Sequence, residues 1–363
     1  MNGHVEDSIF KNKKVLLPYF IPEILPNRMK DIETIFKLVT ESLKGHVTHI
    51  LITGQPGTGK TASVKFIFRK LRQENDGLFC YVNCFNKSTK MAVLYSIILE
   101  YFKEKRPTRK MPSRRGIAYD ELLDSLKSEL EKSTTRLVVC LDEVDQLEET
   151  ELIYDLTRSI LEGIRIQIIG ISNNQFIFKN LDPRTKSSLY PLREIPFSTY
   201  TTDEMKEIIN SRAEEAFQEN VIDKEAVDYL AKFTTDKKGD VRIARETLIR
   251  AGELAGKTGN EKVHVYHVKE ILDKSRHARA IDVIKSLTKR ERFILMLIPA
   301  KGTHYQQLYR LYKSTDGHLG DRMLRNYLQK FHNLKLVTME RKGVGGSYFI
   351  TLNTPKDVLF EGS

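Results

Sequence analysis

The first half of the chain alternates short apolar runs with stretches of helical spacing. His49–Thr53, Leu78–Asn83, Arg136–Asp142 and Ile164–Ile171 are short and dominated by Ile, Leu and Val. Runs of that kind read as strands buried on both faces. Between and before them, Met29–Lys44, Ala62–Leu71, Ser88–Phe102, Tyr119–Lys132 and Leu147–Glu162 space their apolar residues as helices do. Strand–helix alternation up to about Pro196 predicts a parallel α/β sheet with covered faces.

Beyond Thr201 the strands stop. Thr201-Thr202-Asp203-Glu204 is a capping box opening a helix to Gln218, and helices follow near 223–234, 240–255 and 264–278. After residue 280 the pattern changes again. Helices are expected from the capping box Thr288–Glu291 to about Ile298, over Gln306–Lys313 and over Asp321–Phe331. Two strands, Leu336–Arg341 and Ser347–Leu352, then flank a turn at Lys342–Gly346. Three helices and a glycine-rich hairpin describe a winged helix. The chain therefore divides into 1–196, 197–279 and 280–363. Ahead of all this, Met1–Lys14 reads as polar and mobile, and Leu16–Arg28, with three prolines, as an extended strap. The strap suits either walling an adenine ring or packing on the core.

One loop carries decisive chemistry. Gly54-Gln55-Pro56-Gly57-Thr58-Gly59-Lys60-Thr61 fits the phosphate-loop pattern G-x-x-x-x-G-K-[ST], between an expected strand and helix. Its glycines let backbone N–H groups curl inward around phosphate oxygens, at a helix N-terminus. Lys60 is a point charge for β- and γ-phosphates, and the Thr61 hydroxyl suits Mg²⁺. The strand ending Asp142-Glu143 supplies a second Mg²⁺ group in Asp142 and a carboxylate, Glu143, to orient and deprotonate a water. Asn173 closes another expected strand, and ligands of parallel sheets sit outside such ends. Arg242 and Arg245 start a helix that could face the same nucleotide, or solvent.

Composition narrows the partners. The 363 residues carry 59 Lys and Arg against 48 Asp and Glu, a net charge of +11. That excess suits a polyanion, and no apolar stretch suggests a membrane span or leader, so nucleic acid is favoured over membrane. Three cysteines, Cys80, Cys84 and Cys140, argue against a disulfide framework and a zinc site. His264 and His267 read as surface or satisfied histidines. Arg114 and Arg115 lie in a basic insert broken by prolines, which fits phosphate contact or a solvated loop equally. In the winged helix, Arg322, Arg325, Asn326, Gln329 and Lys330 would enter a major groove, and Arg341 and Lys342 would reach phosphate or minor groove.

Taken together, these residues resemble the archaeal AAA+ replication initiators of the origin-recognition-complex and cell-division-cycle-six family. The resemblance runs from about Leu16 to Leu352. It is most specific at Tyr19-Phe20-Ile21-Pro22, at Leu25-Pro26-Asn27-Arg28, at Ile169-Gly170-Ile171-Ser172-Asn173, and from Leu181 to Leu189. It implies an AAA+ P-loop base domain, an all-α lid and a C-terminal winged helix. It also implies ATP or ADP with Mg²⁺ as cofactors, and duplex DNA at replication origins as partner. Gly57, Thr58, Gly59, Lys60, Thr61 and Ala62 would contact phosphates. Asn173 would be the first sensor and Arg242 the second, with Tyr200 and Arg212 as further nucleotide contacts. Arg184 would act as an arginine finger on a neighbour's nucleotide. The insert Ser88–Leu130 would touch DNA. Hydrolysis in the family is slow and ADP is held tightly; a cytoplasmic, nucleoid-associated protein working with initiator paralogues and the replicative helicase is implied. The helix from Gly320 to Arg325 lacks the family's adjacent arginine pair, and Gly345-Gly346-Ser347 is less basic than in relatives. Two rivals stay open: a signal-transducing P-loop ATPase whose winged helix makes intramolecular or protein contacts, and a fast motor or clamp loader.

Overall fold

The computed structural model describes residues 9–74, 77–106, 116–133, 136–158, 164, 166–315, 318, 320–341 and 348–356. The chain separates into two compact units, Met1–His267 and Val268–Ser363. In the first, the strands β1 (His49–Gly54), β2 (Leu78–Asn83), β3 (Leu137–Asp142), β4 (Ile166–Ser172) and β5 (Leu192–Phe197) form one parallel sheet in the order β2-β3-β4-β1-β5. Every residue of the three central strands is buried, which explains their unbroken apolar character.

Alternate residues feed two cores. Leu78, Val82, Val139, Leu141 and Ile168 face one, together with α3 (Lys90–Lys105), α4 (Tyr119–Ser133) and α5 (Glu151–Arg158). Phe79, Val138, Cys140, Ile50 and Ile52 face the other, against α1 (Met29–Lys44) and α2 (Lys60–Glu74). The strand β5 escaped the sequence reading. It is an edge strand carrying exposed Arg193 and Glu194, and Pro196 interrupts its donors, as edges tolerate.

Two expectations are corrected. The helix expected over Leu147–Glu162 starts only at Glu151, and its described part ends at Arg158. Glu148 and Glu149 are held out of it by Ser88 and Lys90: the Glu148 amide donates to the Ser88 carbonyl at 2.9 Å, and the Lys90 amide donates to Glu149 Oε2 at 3.2 Å. The polar N-terminal stretch is not free over its described part. Ile9 is fully buried, and Phe10 stacks on Phe217 with ring centroids 4.9 Å apart. Met1–Ser8 lie outside the described residues.

After the short helices α6 (Ile177–Asn180) and α7 (Pro183–Ser188), the lid is built from α8 (Thr202–Ala216), α9 (Lys224–Asp236), α10 (Val241–Lys257) and the start of α11 (Val265–Ser286). The expected capping box at Thr201 and Glu204 is formed in both directions. His264 Nδ1 pairs with Asp223 Oδ2 at 2.6 Å, and the fully buried His267 accepts at Nδ1 from the His264 amide at 3.0 Å.

In the second unit, α12 (Lys289–Leu297), β6 (Thr303–His304), α13 (Tyr305–Thr315), α14 (Asp321–Asn333), β7 (Val337–Arg341) and β8 (Tyr348–Leu352) follow in winged-helix order. The strands form an antiparallel sheet, β6-β8-β7, over a core of Ile294, Leu308, Tyr312, Leu324, Leu328, Phe331 and Ile350. The capping box at Thr288 and Glu291 is present.

Candidate functional site

The loop between β1 and α2 bends on itself because Gly57 and Gly59 take left-handed φ values of 78° and 91°. Neighbours leave no room for a side chain at either. A Cβ on Gly57 would stand 2.0 Å from Asp240 Oδ1, and one on Gly59 2.8 Å from the Tyr200 hydroxyl. Lys60 opens α2 and is buried. Its ammonium donates to the Gly54 carbonyl at 2.8 Å, the Gln55 carbonyl at 2.9 Å and Asn173 Oδ1 at 3.0 Å. Burial pulls its pKa down to about 8, against the attraction of Asp142, while Arg242 lowers it further. Asn173 reaches Lys60 because β4 pairs directly with β1, Ser172 opposite Thr53.

Asp142, at the end of β3, gathers three donors. Thr61 Oγ1 donates to its Oδ2 at 2.7 Å, the Tyr81 hydroxyl to the same oxygen at 2.6 Å, and the Glu143 amide to Oδ1 at 3.0 Å. Glu143 itself sits at φ 53°, a conformation uncommon outside glycine and typical of functional positions, and it lines the same cavity. Asp145 braces the neighbouring strand end by accepting from Ser172 Oγ at 2.6 Å. Its burial would raise its pKa, but hydrogen bonds from Ser172 and Gln146 prevail and lower it.

The cavity above this loop measures about 320 Å³. Pro18, Tyr19, Phe20 and Ile21 form an apolar wall, and Arg212, Arg242 and Arg245 come in from the lid. Arg212 lies beneath the Phe20 ring, 5.7 Å from its centroid, and its Nη1 is buried without a hydrogen-bond partner. Nε of Arg245 is likewise buried and unpartnered, although its Nη1 donates to the Leu17 carbonyl at 3.3 Å. Burial lowers the pKa of both arginines; repulsion from Arg245 adds to it at Arg212, and repulsion from Arg242 adds to it at Arg245. Arg242 is instead clamped: Nε donates to Asp240 Oδ1 at 2.9 Å and Nη2 to Oδ2 at 2.7 Å. Buried donors without acceptors, facing an apolar slot and a glycine loop, suit a polyanion with a flat apolar end.

Comparison with known proteins agrees with this geometry. A family model for an AAA domain matches residues 43–177, and one for a Cdc6 AAA+ ATPase-type lid domain matches 206–271. An ORC1-type DNA replication protein of Pyrococcus furiosus is 33% identical over 301 residues, 80% of this chain and 71% of that protein. The chain belongs to the ORC1-type DNA replication proteins. Among solved structures, that of the Aeropyrum pernix ORC1 protein in complex with DNA aligns with a TM-score of 0.68 and 27% identity, over 98% of this chain and 96% of that one. The Aeropyrum pernix ORC2 protein, solved as ADPNP and ADP complexes, aligns at 0.62 over 98% and 97% of the two chains; at 21% identity it shows the fold alone.

An ORC1-type AAA domain is a nucleotide-binding domain, and the residues here fit that cofactor. The expected contacts Gly57, Thr58, Gly59, Lys60, Thr61, Ala62, Tyr200, Arg212 and Arg242 all line the one cavity, with Asp142, Glu143 and Asn173. Thr61 and Asp142, the two residues expected to hold Mg²⁺, lie side by side, Thr61 Oγ1 donating to Asp142 Oδ2 at 2.7 Å. Arg184 is exposed on α7 and does not line this cavity. In the second unit of this ORC1-type chain, Arg322 and Asn326 are exposed on α14. Arg325 pairs with Asp321 at 2.7 Å and stacks over Tyr305, and Arg341 lies over the Tyr348 ring. Lys330 donates to Glu291, the capping-box residue, at 2.6 Å, so it braces the fold. Arg114, Arg115 and Lys342 lie outside the described residues. No helix among the described residues is long and apolar enough to cross a membrane.

Sequence reasoning gave no role to Arg28, Tyr81, Asp145 or Asp240. Tyr81 and Asp240 become visible only through strand register and lid packing. Arg28 had a faint signal, a buried arginine in an otherwise apolar, proline-rich strap.

Proposed function

We propose that the protein is an ATP-binding replication initiator that grips duplex DNA at origins, works as a slow ATPase switch, and helps recruit or load the replicative helicase, alongside initiator paralogues. The observation that supports this most directly is the cavity in which Lys60, Thr61–Asp142 and Asn173 meet the unpartnered donors of Arg212 and Arg245. In this reading the strap residues Tyr19 and Phe20 wall the base. The loop from Gly57 to Ala62 and Lys60 hold the phosphates, with Tyr200, Arg212 and Arg242 closing from the lid. Mg²⁺, held by Thr61 and Asp142, would neutralise phosphate charge. Glu143 orients and deprotonates water, Asn173 fixes Lys60 and that water, and Arg184 serves a neighbouring copy's site. Base, lid and winged helix span 1–196, 197–279 and 280–363. On DNA, α14 with Arg322, Arg325 and Asn326 reads a major groove, while Arg341, Lys342, Arg114 and Arg115 contact the backbone. The solved complex of the Aeropyrum pernix ORC1 protein with DNA favours this reading over a regulator that uses its winged helix on proteins.

Two measurements test it. Lys60→Ala should abolish ADP and ATP retention, since the Lys60 ammonium sits on the loop carbonyls of Gly54 and Gln55; unchanged retention refutes the site. Footprinting on the host chromosome should find protected duplex at an origin. A protein with no footprint that binds only polypeptides is a regulator instead.

A further inference from the structure

Arg28 closes α1 to the phosphate loop from behind, and its surroundings are unusually complete. The residue is 4% exposed. Its Nε donates to the Thr58 carbonyl at 2.9 Å, Nη2 to the Ser198 carbonyl at 2.6 Å, and Nη1 to the Asn27 carbonyl at 3.3 Å. The guanidinium lies 4.1 Å from the Tyr200 ring centroid and 5.0 Å from that of Phe197, with Asp31 as counter-ion at 3.6 Å. The Tyr200 hydroxyl donates to the same Thr58 carbonyl at 3.0 Å. One peptide of the phosphate loop is thus held by two side chains. Both belong to the same clasp, which also grips residues 197–200, the connection from β5 to the capped lid helix α8.

We propose that Arg28 is a positioning residue that couples the phosphate loop to the lid hinge. A planar guanidinium with fixed donors cannot follow one carbonyl without moving against the other. When the loop settles on phosphate, any rotation of the Thr58 peptide is carried through Arg28 to Ser198 and through the shared acceptor to Tyr200. The hinge then becomes a two-state element biased by the loop, which is what coupling requires. This rests on nucleotide binding at the loop, as proposed above.

Hydrogen exchange on the full-length chain, with and without ADP and Mg²⁺, separates the two ideas. In the wild type, ADP should slow exchange at both the loop, residues 54–62, and the hinge, residues 197–203. Coupling of this kind is worth about 5- to 150-fold. Arg28→Lys keeps the charge but gathers its donors on one nitrogen and loses the rigid planar fork. It should retain loop protection while hinge protection falls below about threefold. Tyr200→Phe, which loses only the hydroxyl, should weaken hinge protection in part. Hinge protection in Arg28→Lys equal to wild type overturns the coupling. So does hinge protection intact in Tyr200→Phe should Arg28→Lys not bind ADP. Absence of loop protection in the wild type overturns the nucleotide site instead.

Discussion

Lys60 carries two opposing demands. Its ammonium must meet phosphate, yet it is buried among carbonyls that cannot neutralise it, so burial draws its pKa from 10.5 to about 8. In the ligand-free protein the unfolded chain therefore binds more protons between those values, and stability should rise with pH across that window. Nucleotide phosphate reverses the bias and restores the charge. At about pH 8.5, ADP binding should take up a fraction of a proton, visible in calorimetry as an enthalpy that depends on the buffer's ionisation heat. Lys60→Arg should show none. A second titrating group gives a slope of the same sign in a lower window. His49 is 1% exposed, accepts from the Ile168 amide at 3.1 Å through Nδ1, and is held neutral by burial down to about 4, from 6.5. Its folded pKa is depressed, so stability should fall as pH drops from 6.5 toward 4, by on the order of 3 kcal/mol. Urea melts of wild type and His49→Asn at pH 7 and near pH 4.5 check this, with the variant losing less on acidification.

At the scale of elements, the strap and the residues just before it act together. Residues 9–26 run from the lid to the base as one piece. The Lys11 amide donates to the Ala216 carbonyl at 2.9 Å and the Gln218 amide to the Ile9 carbonyl at 3.1 Å, at one end. At the other, Arg69 donates to the carbonyls of Ile21 and Pro22 at 3.0 and 2.8 Å. Phe10 reaches α10 because Gly252 has no side chain; a Cβ there would lie 2.3 Å from the Phe10 ring. Ile9→Ala should cost roughly 2–5 kcal/mol, the range for a fully buried aliphatic, and should loosen the strap over the cavity. Thermal melts and ADP affinity should therefore fall together; a melt unchanged within a degree refutes the docking. The sequence reading had Leu16–Arg28 as an extended strap but left Met1–Lys14 mobile because its local pattern is polar. Its partners, Phe217 and Gly252, are more than two hundred residues away. By contrast, the helices opened by Thr201 and Thr288 were legible to within a residue or two, since a capping box is satisfied by its own four residues.

At the scale of the whole molecule, two units each bury a core of their own, and the division falls inside α11, between His267 and Val268. A fragment starting at residue 265 keeps that helix intact. It should unfold cooperatively by itself, because Ile284, Leu287, Ile294, Leu308, Leu328 and Phe331 form a closed apolar cluster. The full-length protein should bind duplex DNA with a log–log salt slope near −5, if about six phosphates are neutralised. The fragment should show a shallower slope, since it lacks the insert proposed above to contact phosphates. A slope near zero for the full-length protein would leave its basic charge without the polyanion assigned to it.

The amino-acid sequence alone determined the parallel sheet, the helical lid and the phosphate loop with Asp142, Glu143 and Asn173. Each is written in local periodicity or in a motif whose members are neighbours. Only the tertiary structure decided what surrounds them. Strand register set Tyr81 beside Asp142, and lid packing set Asp240 against Gly57. Chain crossing brought Arg28 to Thr58 and Phe10 to Gly252. Those pairings are contacts between distant segments, fixed by how covered sheet faces and helix ends fit together, and no short window of residues contains them.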